Sequence, residues 1–347
     1  GGSAEGGKGV VVKKRKTVDV KVFGRDVTLN GRAMLFVVPV LWASFNPIVR
    51  FLYTLDYPME SSVFNSIRLT LSSLCFLPVY IAEFSGKSGE ARRESLVDGK
   101  GLPLWAVGGL ELGLWVFLAN FAQFFALEFN SATRATFLIQ LQTVMVPTLA
   151  AIFGIEKISL KTAGASAVCV LGVLILSLDK PTGGAVTSSL QGDLLCLLSA
   201  LFHALYVLRL GSKYAGRTSS GLLVGGKVFV QCAFSWLWAI STVATKDITI
   251  ADSLGAFAVG DTRETLIILG VAAWMGLVAS ALSGWLQTNG QKVVPASETA
   301  VLFSMQPLWA TAMAVTLLGE TIGTKSIVGG GLIVGATVIA SLKTKKS

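Results

Sequence analysis

Apolar residues along this chain come in long runs, separated at regular intervals by short polar stretches. The runs cover residues 33–52, 61–82, 102–127, 132–153 and 159–178, then 192–210, 219–243, 265–288, 296–318 and 323–342. Each is close to the roughly 20 apolar residues that a helix needs to cross a bilayer. None alternates with period two, so the pattern predicts helices and not barrel strands. No amphipathic helices are left over to shield these runs from water, and a helix in lipid satisfies its own backbone polar groups. The expected fold class is therefore an all-α polytopic membrane protein with ten transmembrane helices.

The runs also repeat. The segment 132–178 returns at 296–342 without a gap, with Glu156 matching Glu320 at a shift of 164 positions (320 − 156 = 164). The same shift matches Gln123 with Gln287, Gln142 with Gln306, Lys161 with Lys325 and Ser177 with Ser341. In the earlier helices the shift is 159, which matches Arg50 with Arg209 and Arg68 with Lys227 (227 − 68 = 159). An insertion of five residues (164 − 159 = 5) in the loop 244–264 reconciles the two. Such a period is too long for a solenoid and fits a duplicated half. Five helices per half is an odd number, so the second half enters the membrane from the opposite side. The result is a 5+5 inverted repeat, an arrangement suited to alternating access. The expected organisation is a basic extension over 1–32, a first five-helix repeat over 33–178 and a linker over 179–191. A second repeat over 192–342 and a basic tail over 343–347 complete it.

Composition strengthens the membrane reading. Of 347 residues, 52% are hydrophobic and only 14% charged, with a mean hydropathy of +0.67. Soluble domains carry about 25% charged residues. The net charge of +9 does not point to nucleic acid, because the basic residues gather at the termini and on alternate loops. Lys13-Lys14-Arg15-Lys16 precede the first run, Lys87, Arg92, Arg93 and Lys100 follow the second, and Lys343, Lys345 and Lys346 end the chain. The facing loops hold little beyond Lys180, Lys246 and Arg263. The positive-inside rule then puts both termini on one inner side, which an even helix count requires. Cys75, Cys169, Cys196 and Cys232 lie in apolar runs without metal-ligand or disulfide spacing, and are read as small buried apolar residues. Val18, Val20 and Val22 alternate with polar neighbours up to Arg25-Asp26, which fits either a small hairpin or a membrane-surface tail. The chain begins with Gly1 and not Met, as a processed, truncated or tagged chain would. No secretory apolar segment precedes Gly31, and an organellar membrane such as the plastid envelope stands among the expected locations.

The run Ser131-Ala132-Thr133-Arg134-Ala135, followed by Gln142, Pro147 and Glu156, resembles the EamA-type repeat of the drug/metabolite transporter superfamily. So does Pro295-Ala296-Ser297-Glu298-Thr299, followed by Gln306-Pro307 and Glu320. Arg68 and the glycines Gly329-Gly330-Gly331 and Gly335 are similar to the same pattern, and the resemblance spans about residues 33–342. It implies a central cavity lined by helices one to four and six to nine, with the fifth and tenth helices at the periphery. It also implies a secondary transporter of a small organic metabolite. Phosphorylated-sugar and nucleotide-sugar antiporters share the fold and form the first alternative; a non-transporting subunit of a membrane complex forms the second.

An ionisable group inside the membrane costs roughly 2.5–3.5 kcal/mol on insertion scales and needs a reason to be there. Arg68 and Lys227 lie about eight residues into their helices, roughly 12 Å deep. They are candidates for binding an anionic group; the competing reading is a structural cation bonded to Glu111 or to free carbonyls. Glu111 is a candidate coupling carboxylate or partner of Arg68, and Met275 stands at its place in the second half. His203, the one histidine, is read either as a proton relay or as an interhelical hydrogen-bonding group. Asn46, Asn120, Gln142 and Gln306 are candidate substrate contacts, with interhelical bonding as the plain alternative, as for Gln123 and Gln287. Arg134, Glu298, Pro39 and Pro47 are candidates for an entrance or a gate, whereas Glu156 and Glu320 are read as turn caps. Gly276, Ser280 and Gly284, like Gly331 and Gly335, form small-residue faces for close packing, the latter also for a homodimer. No nucleophile cluster, phosphate loop or metal-ligand spacing is present, so neither an enzyme, a metal nor a cofactor is expected. The expected partners are a small-molecule substrate, membrane lipid, and a proton or counter-substrate.

Overall fold

A computed structural model describes residues 17–22, 25–85, 96–97, 102–155, 189–246, 249–294, 296–303 and 305–341, with 164, 167, 168, 171, 172, 174 and 175. Of the two readings of the N-terminal valines, the hairpin is the one that forms. Strand β1 (Thr17–Val22) pairs antiparallel with β2 (Arg25–Asn30), so that Val18 faces Leu29. Val18 then packs with Met34 and Trp285, pinning the hairpin to the helical body. A second, two-residue ladder joins β3 (Leu96–Val97) to β4 (Leu102–Pro103). The remaining described elements are helices.

Helices α1 (Gly31–Ala43) and α2 (Phe45–Leu52) make the first span, and α3 (Ser61–Leu74) with α4 (Leu77–Phe84) follow. Next come α5 (Leu104–Phe129), α6 (Ala132–Ile139) and α7 (Gln142–Ile152). In the second half, α8 (Leu190–Arg209) runs into a π turn at Leu210–Tyr214, and α9 (Ser220–Lys246) follows. Two short helices, α10 (Ile250–Leu254) and α11 (Ala256–Val259), fill the long loop. Then α12 (Thr262–Ala273) continues through a π stretch at Trp274–Leu282 into α13 (Ser283–Gly290). The last helices are α14 (Ala296–Phe303), α15 (Gln306–Leu318) and α16 (Thr324–Ser341). Among the described residues, six helices are long and apolar enough to span a membrane, or seven if the α3–α4 pair, bent by 40°, counts as one. The expected fifth run, with Glu156, Lys161 and Ser177, lies mostly outside the described residues. The ninth is divided between α14 and α15, and the tenth counts only as a shorter apolar helix over Thr324–Ala336, so fewer spans stand than the ten runs predict.

Three of the breaks fall where a proline dictates. Proline lacks an N–H and its ring clashes with the carbonyl four residues back. Pro47, Pro78 and Pro307 look back to Ala43, Leu74 and Phe303, and those are the last residues of α1, α3 and α14. The carbonyl that Pro307 leaves open is filled from the other half, since Gln140 Nε2 donates to Phe303 O at 3.0 Å. In the first repeat Thr143 stands at the place of Pro307, and its hydroxyl donates to Gln140 O at 2.9 Å. Both repeats therefore interrupt the same helix by different chemistry. Pro39 stays inside α1.

The two halves interleave. Helix α5 packs along α8 and α9, and α9 along α3. Close approach relies on glycine at α3: a Cβ on Gly276 would stand 2.4 Å from Arg68 O. Gly331 and Gly335 face open space. One apolar cluster gathers Val49, Phe64, Leu127 and Met275, and another gathers Leu35, Leu112, Leu210 and Tyr214. Along α1–α2 and α5 these clusters occupy opposite ends, with polar residues between them. Cys196 is buried as expected and Cys232 half-buried, but Cys75 is exposed. It sits at the α3–α4 break on the outside of the bundle, where surrounding lipid makes an apolar thiol harmless. Cys169 lies outside the described residues.

Candidate functional site

Between the two apolar clusters lies a cavity with about 700 Å³ of atom-free space, its open side included. The first half contributes Trp42, Phe45, Arg68, Asn120, Gln123 and Gln142 to its wall. The second contributes His203, Tyr206, Lys227, Gln231, Ser280, Ser283 and Gln306. No carboxylate is among the described residues lining it. The cavity thus brings together Arg68, Asn120, Gln142, His203, Lys227 and Gln306 from the expected set. It leaves out Asn46 and Glu111.

Arg68 is 2% exposed and Lys227 6%. Arg68 donates from Nε to Asn65 Oδ1 and from Nη1 to Ser280 Oγ, both at 2.8 Å, while its buried Nη2 has no partner. The guanidinium lies over Phe45 at 5.2 Å and Phe124 at 5.9 Å from the ring centroids. Lys227 Nζ donates to Tyr206 OH at 3.1 Å and stands 5.0 Å from that ring's centroid. Among the described residues neither cation has an ion-pair partner, so the expected alternative of an Arg68–Glu111 pair is not formed. Both point at one helix face. Arg68 meets Ser280, and a Cβ on Gly284 would lie 3.0 Å from Lys227 Nζ. Residues four apart on a helix are about 6 Å apart along its axis. Two like charges about 6 Å apart repel by about 3 kcal/mol at an effective dielectric of about 20. An anion between them would remove that cost.

The polar wall follows the repeat. Gln123 Nε2 donates to Asn46 Oδ1 at 2.5 Å, and Asn46 Nδ2 in turn donates to Thr136 Oγ1 at 2.7 Å. At the equivalent place of the second half, Tyr206 OH donates to Gln287 Oε1 at 2.9 Å. Asn46 thus acts behind the wall, holding Gln123. Gln142 and Gln306 each open the half-helix after a break, and Oε1 of each is buried without a partner. His203 Nδ1 lies 3.1 Å from Ser199 O. Ser199 Oγ lies 3.4 Å from the same nitrogen, and a proton on Nδ1 would be donated to the carbonyl, which only accepts.

Several of the other candidates belong to contacts between the halves at the bundle's ends. Arg134 donates from Nε and Nη2 to Asp193 at 2.8 and 2.7 Å, and Asn130 adds a third donor to Asp193 at 3.1 Å. Glu320 accepts from the N–H groups of Ala132 and Thr133 at 2.8 and 3.1 Å. Read from the sequence as a turn cap, it caps the start of α6 in the other half, where the helix dipole favours a carboxylate. Glu264 likewise accepts from Asp56 N and Tyr57 N, each at 3.0 Å. Near the opposite end, Glu111 pairs with Arg209, Tyr214 OH and, at 3.5 Å, Lys213. Glu111 is thereby committed to a surface cluster. Pro47 ends α1 at its junction with α2, and nothing described about Pro39 links it to the cavity. The Glu298 side chain lies outside the described residues. Sequence reading passed over Asp193 and Tyr206 as site residues, and took Ser280 only as part of a small-residue packing face. Asp193 was the most findable of these, as an acidic residue inside a chain poor in charge.

A model of the EamA-like transporter family matches residues 29–178 and again 190–342. A curated relative from Archaeoglobus fulgidus, described as an uncharacterized transporter, is 23% identical over 309 residues, which are 89% of this chain and 85% of the relative. A solved structure described as the crystal structure of a protein is similar at a TM-score of 0.59 and 15% identity. It covers 89% of this chain and 96% of that chain, a likeness of fold alone.

Proposed function

This chain belongs to the EamA-like transporter family, and on that premise we propose that it moves a small organic metabolite by alternating access between two inverted five-helix halves. One observation carries the reading. One cavity with polar and apolar lining is walled by both halves, Trp42 and Asn120 from one and His203 and Gln231 from the other. Rocking of one half against the other opens such a site to either side in turn. The contacts at the ends suit that motion. Glu320 and Glu264 join the halves at one end and Glu111 with Arg209 at the other, so each set can break while the other holds. Ten helices and two termini on the positive-inside face belong to the same reading. The role is transport and not catalysis.

A subunit without transport activity would have no use for such a cavity between its halves. The phosphorylated-sugar type of antiporter is favoured as a second reading by Arg68 and Lys227, which lack carboxylate partners among the described residues. The test is counterflow in sealed proteoliposomes holding the purified full chain, with a panel of labelled amino acids, organic acids, sugar phosphates and amines. Saturable exchange of at least one class is expected. Flux equal to that of protein-free vesicles for every class would overturn the proposal.

A further inference from the structure

We infer that the solute taken by this cavity is a compact organic dianion, a short dicarboxylate or a phosphate monoester, held between Arg68 and Lys227. The inference rests on the transport reading and adds the chemical class. Its basis is a charge imbalance inside the membrane. Two buried cations line one cavity, and no described lining residue is a carboxylate. Arg68 keeps Nη2 buried and unpartnered. Lys227 uses one of its three donors on Tyr206. Their neutral partners orient them without neutralising them. A guanidinium stays charged at any physiological pH, so Arg68 demands an anion from elsewhere.

Spacing narrows the class. The two cations meet one helix face at Ser280 and at Gly284, about one turn or roughly 6 Å apart. Gly284 leaves room there: any side chain would begin 3.0 Å from Lys227 Nζ. Anionic oxygens of a phosphate group, or of a three- or four-carbon dicarboxylate, reach two cations so placed. Gln142 and Gln306 add a second requirement. Both are repeat mates in the wall with Oε1 buried and unpartnered, and each acceptor calls for a donor such as a hydroxyl or an ammonium on the solute.

The full chain in proteoliposomes is offered malate, succinate, glycerol 3-phosphate, lactate and glycerol in counterflow, and in detergent the same probes are titrated against tryptophan fluorescence, Trp42 being in the wall. Malate or glycerol 3-phosphate is expected to exchange at least about tenfold faster than lactate, because losing one charge-assisted contact costs about a factor of ten or more. Whichever of the two dominates separates a dicarboxylate from a phosphate solute. Arg68→Gln and Lys227→Gln should each lower dianion exchange by about tenfold or more, with Arg68→Lys recovering part of it. Wild-type selectivity decides the matter even where a variant fails to fold. Saturable exchange of lactate, glycerol or an amine in preference to the dianions would overturn the dianion class and leave transport standing. No exchange of any solute, together with no fluorescence response to a dianion, would overturn both.

Discussion

Arg134 and Arg68 are arginines of the same half, 7% and 2% exposed, and their surroundings differ in kind. Arg134 is held by Asp193 through two parallel hydrogen bonds of 2.8 and 2.7 Å. Arg68 is held by an asparagine and a serine, with one nitrogen left over. Burial is shared, so burial does not tell a functional charge from a structural one. The partner does. Arg134 and its carboxylate form an ion pair that joins α6 to α8. Arg68 is open, and its neighbour Lys227 adds charge of the same sign.

The largest effect should come from breaking that pair. Asp193→Ala would take from a buried guanidinium its bidentate carboxylate, and breaking a buried pair typically costs about 3–5 kcal/mol. Thermal unfolding in detergent should show a large fall in midpoint, and the double variant Arg134→Met with Asp193→Leu should recover most of it. Wild-type stability in Asp193→Ala would mean that Arg134 is not held as described, and the contrast with Arg68 would lapse.

Next in size is the close approach that seats Arg68. Gly276→Ala would drive a methyl to within 2.4 Å of Arg68 O, and a backbone atom cannot swing aside. Overpacking of this kind costs about 1–3 kcal/mol. Transport should fall with it, since the strain lands on the residue that carries the site; an unaltered unfolding midpoint would contradict the packing. Smaller again is Glu320→Ala, which leaves the Ala132 and Thr133 N–H groups without their acceptor. Loss of a helix cap costs about 0.5–2 kcal/mol. Because this cap crosses between the halves, proteolysis or hydrogen exchange should speed up first at the start of α6, and equal protection there would count against it.

Much of this contrast was legible in the chain, and the remainder was not for a definite reason. The constraint a proline imposes is local, and Pro47 reads as a gate candidate, but the breaks at Pro78 and Pro307 fall inside stretches that read as unbroken runs. Arg68 and Lys227 stood out because an ion in an apolar run is costly and because the repeat matches them. Partners are a different matter. Asp193 lies 59 positions from Arg134, and Arg209 lies 98 from Glu111. The sequence offers every carboxylate to every cation, and only the packed helices choose among them. Reading Glu111 as a partner of Arg68 failed at that step. Reading Glu320 as a cap left open which element it serves, a helix start 188 positions away.

The smallest effect on stability should be the most telling. Arg68→Met removes a buried charge that has no carboxylate to strand among the described residues. It forfeits two hydrogen bonds to Asn65 and Ser280 and the contacts over Phe45 and Phe124. It also relieves repulsion from Lys227 and the desolvation of a cation, and methionine refills the space between the rings. These terms oppose each other, so the unfolding midpoint without solute should stay within about 1 kcal/mol of wild type, as for other exchanges of buried charge for apolar volume. Addition of a dianion should then stabilise the wild type and not the variant, because only a ligand bound to the folded state raises its stability. A drop as large as that of Asp193→Ala would make Arg68 a structural cation like Arg134. A dianion that stabilises the variant as well as the wild type would remove Arg68 from the site.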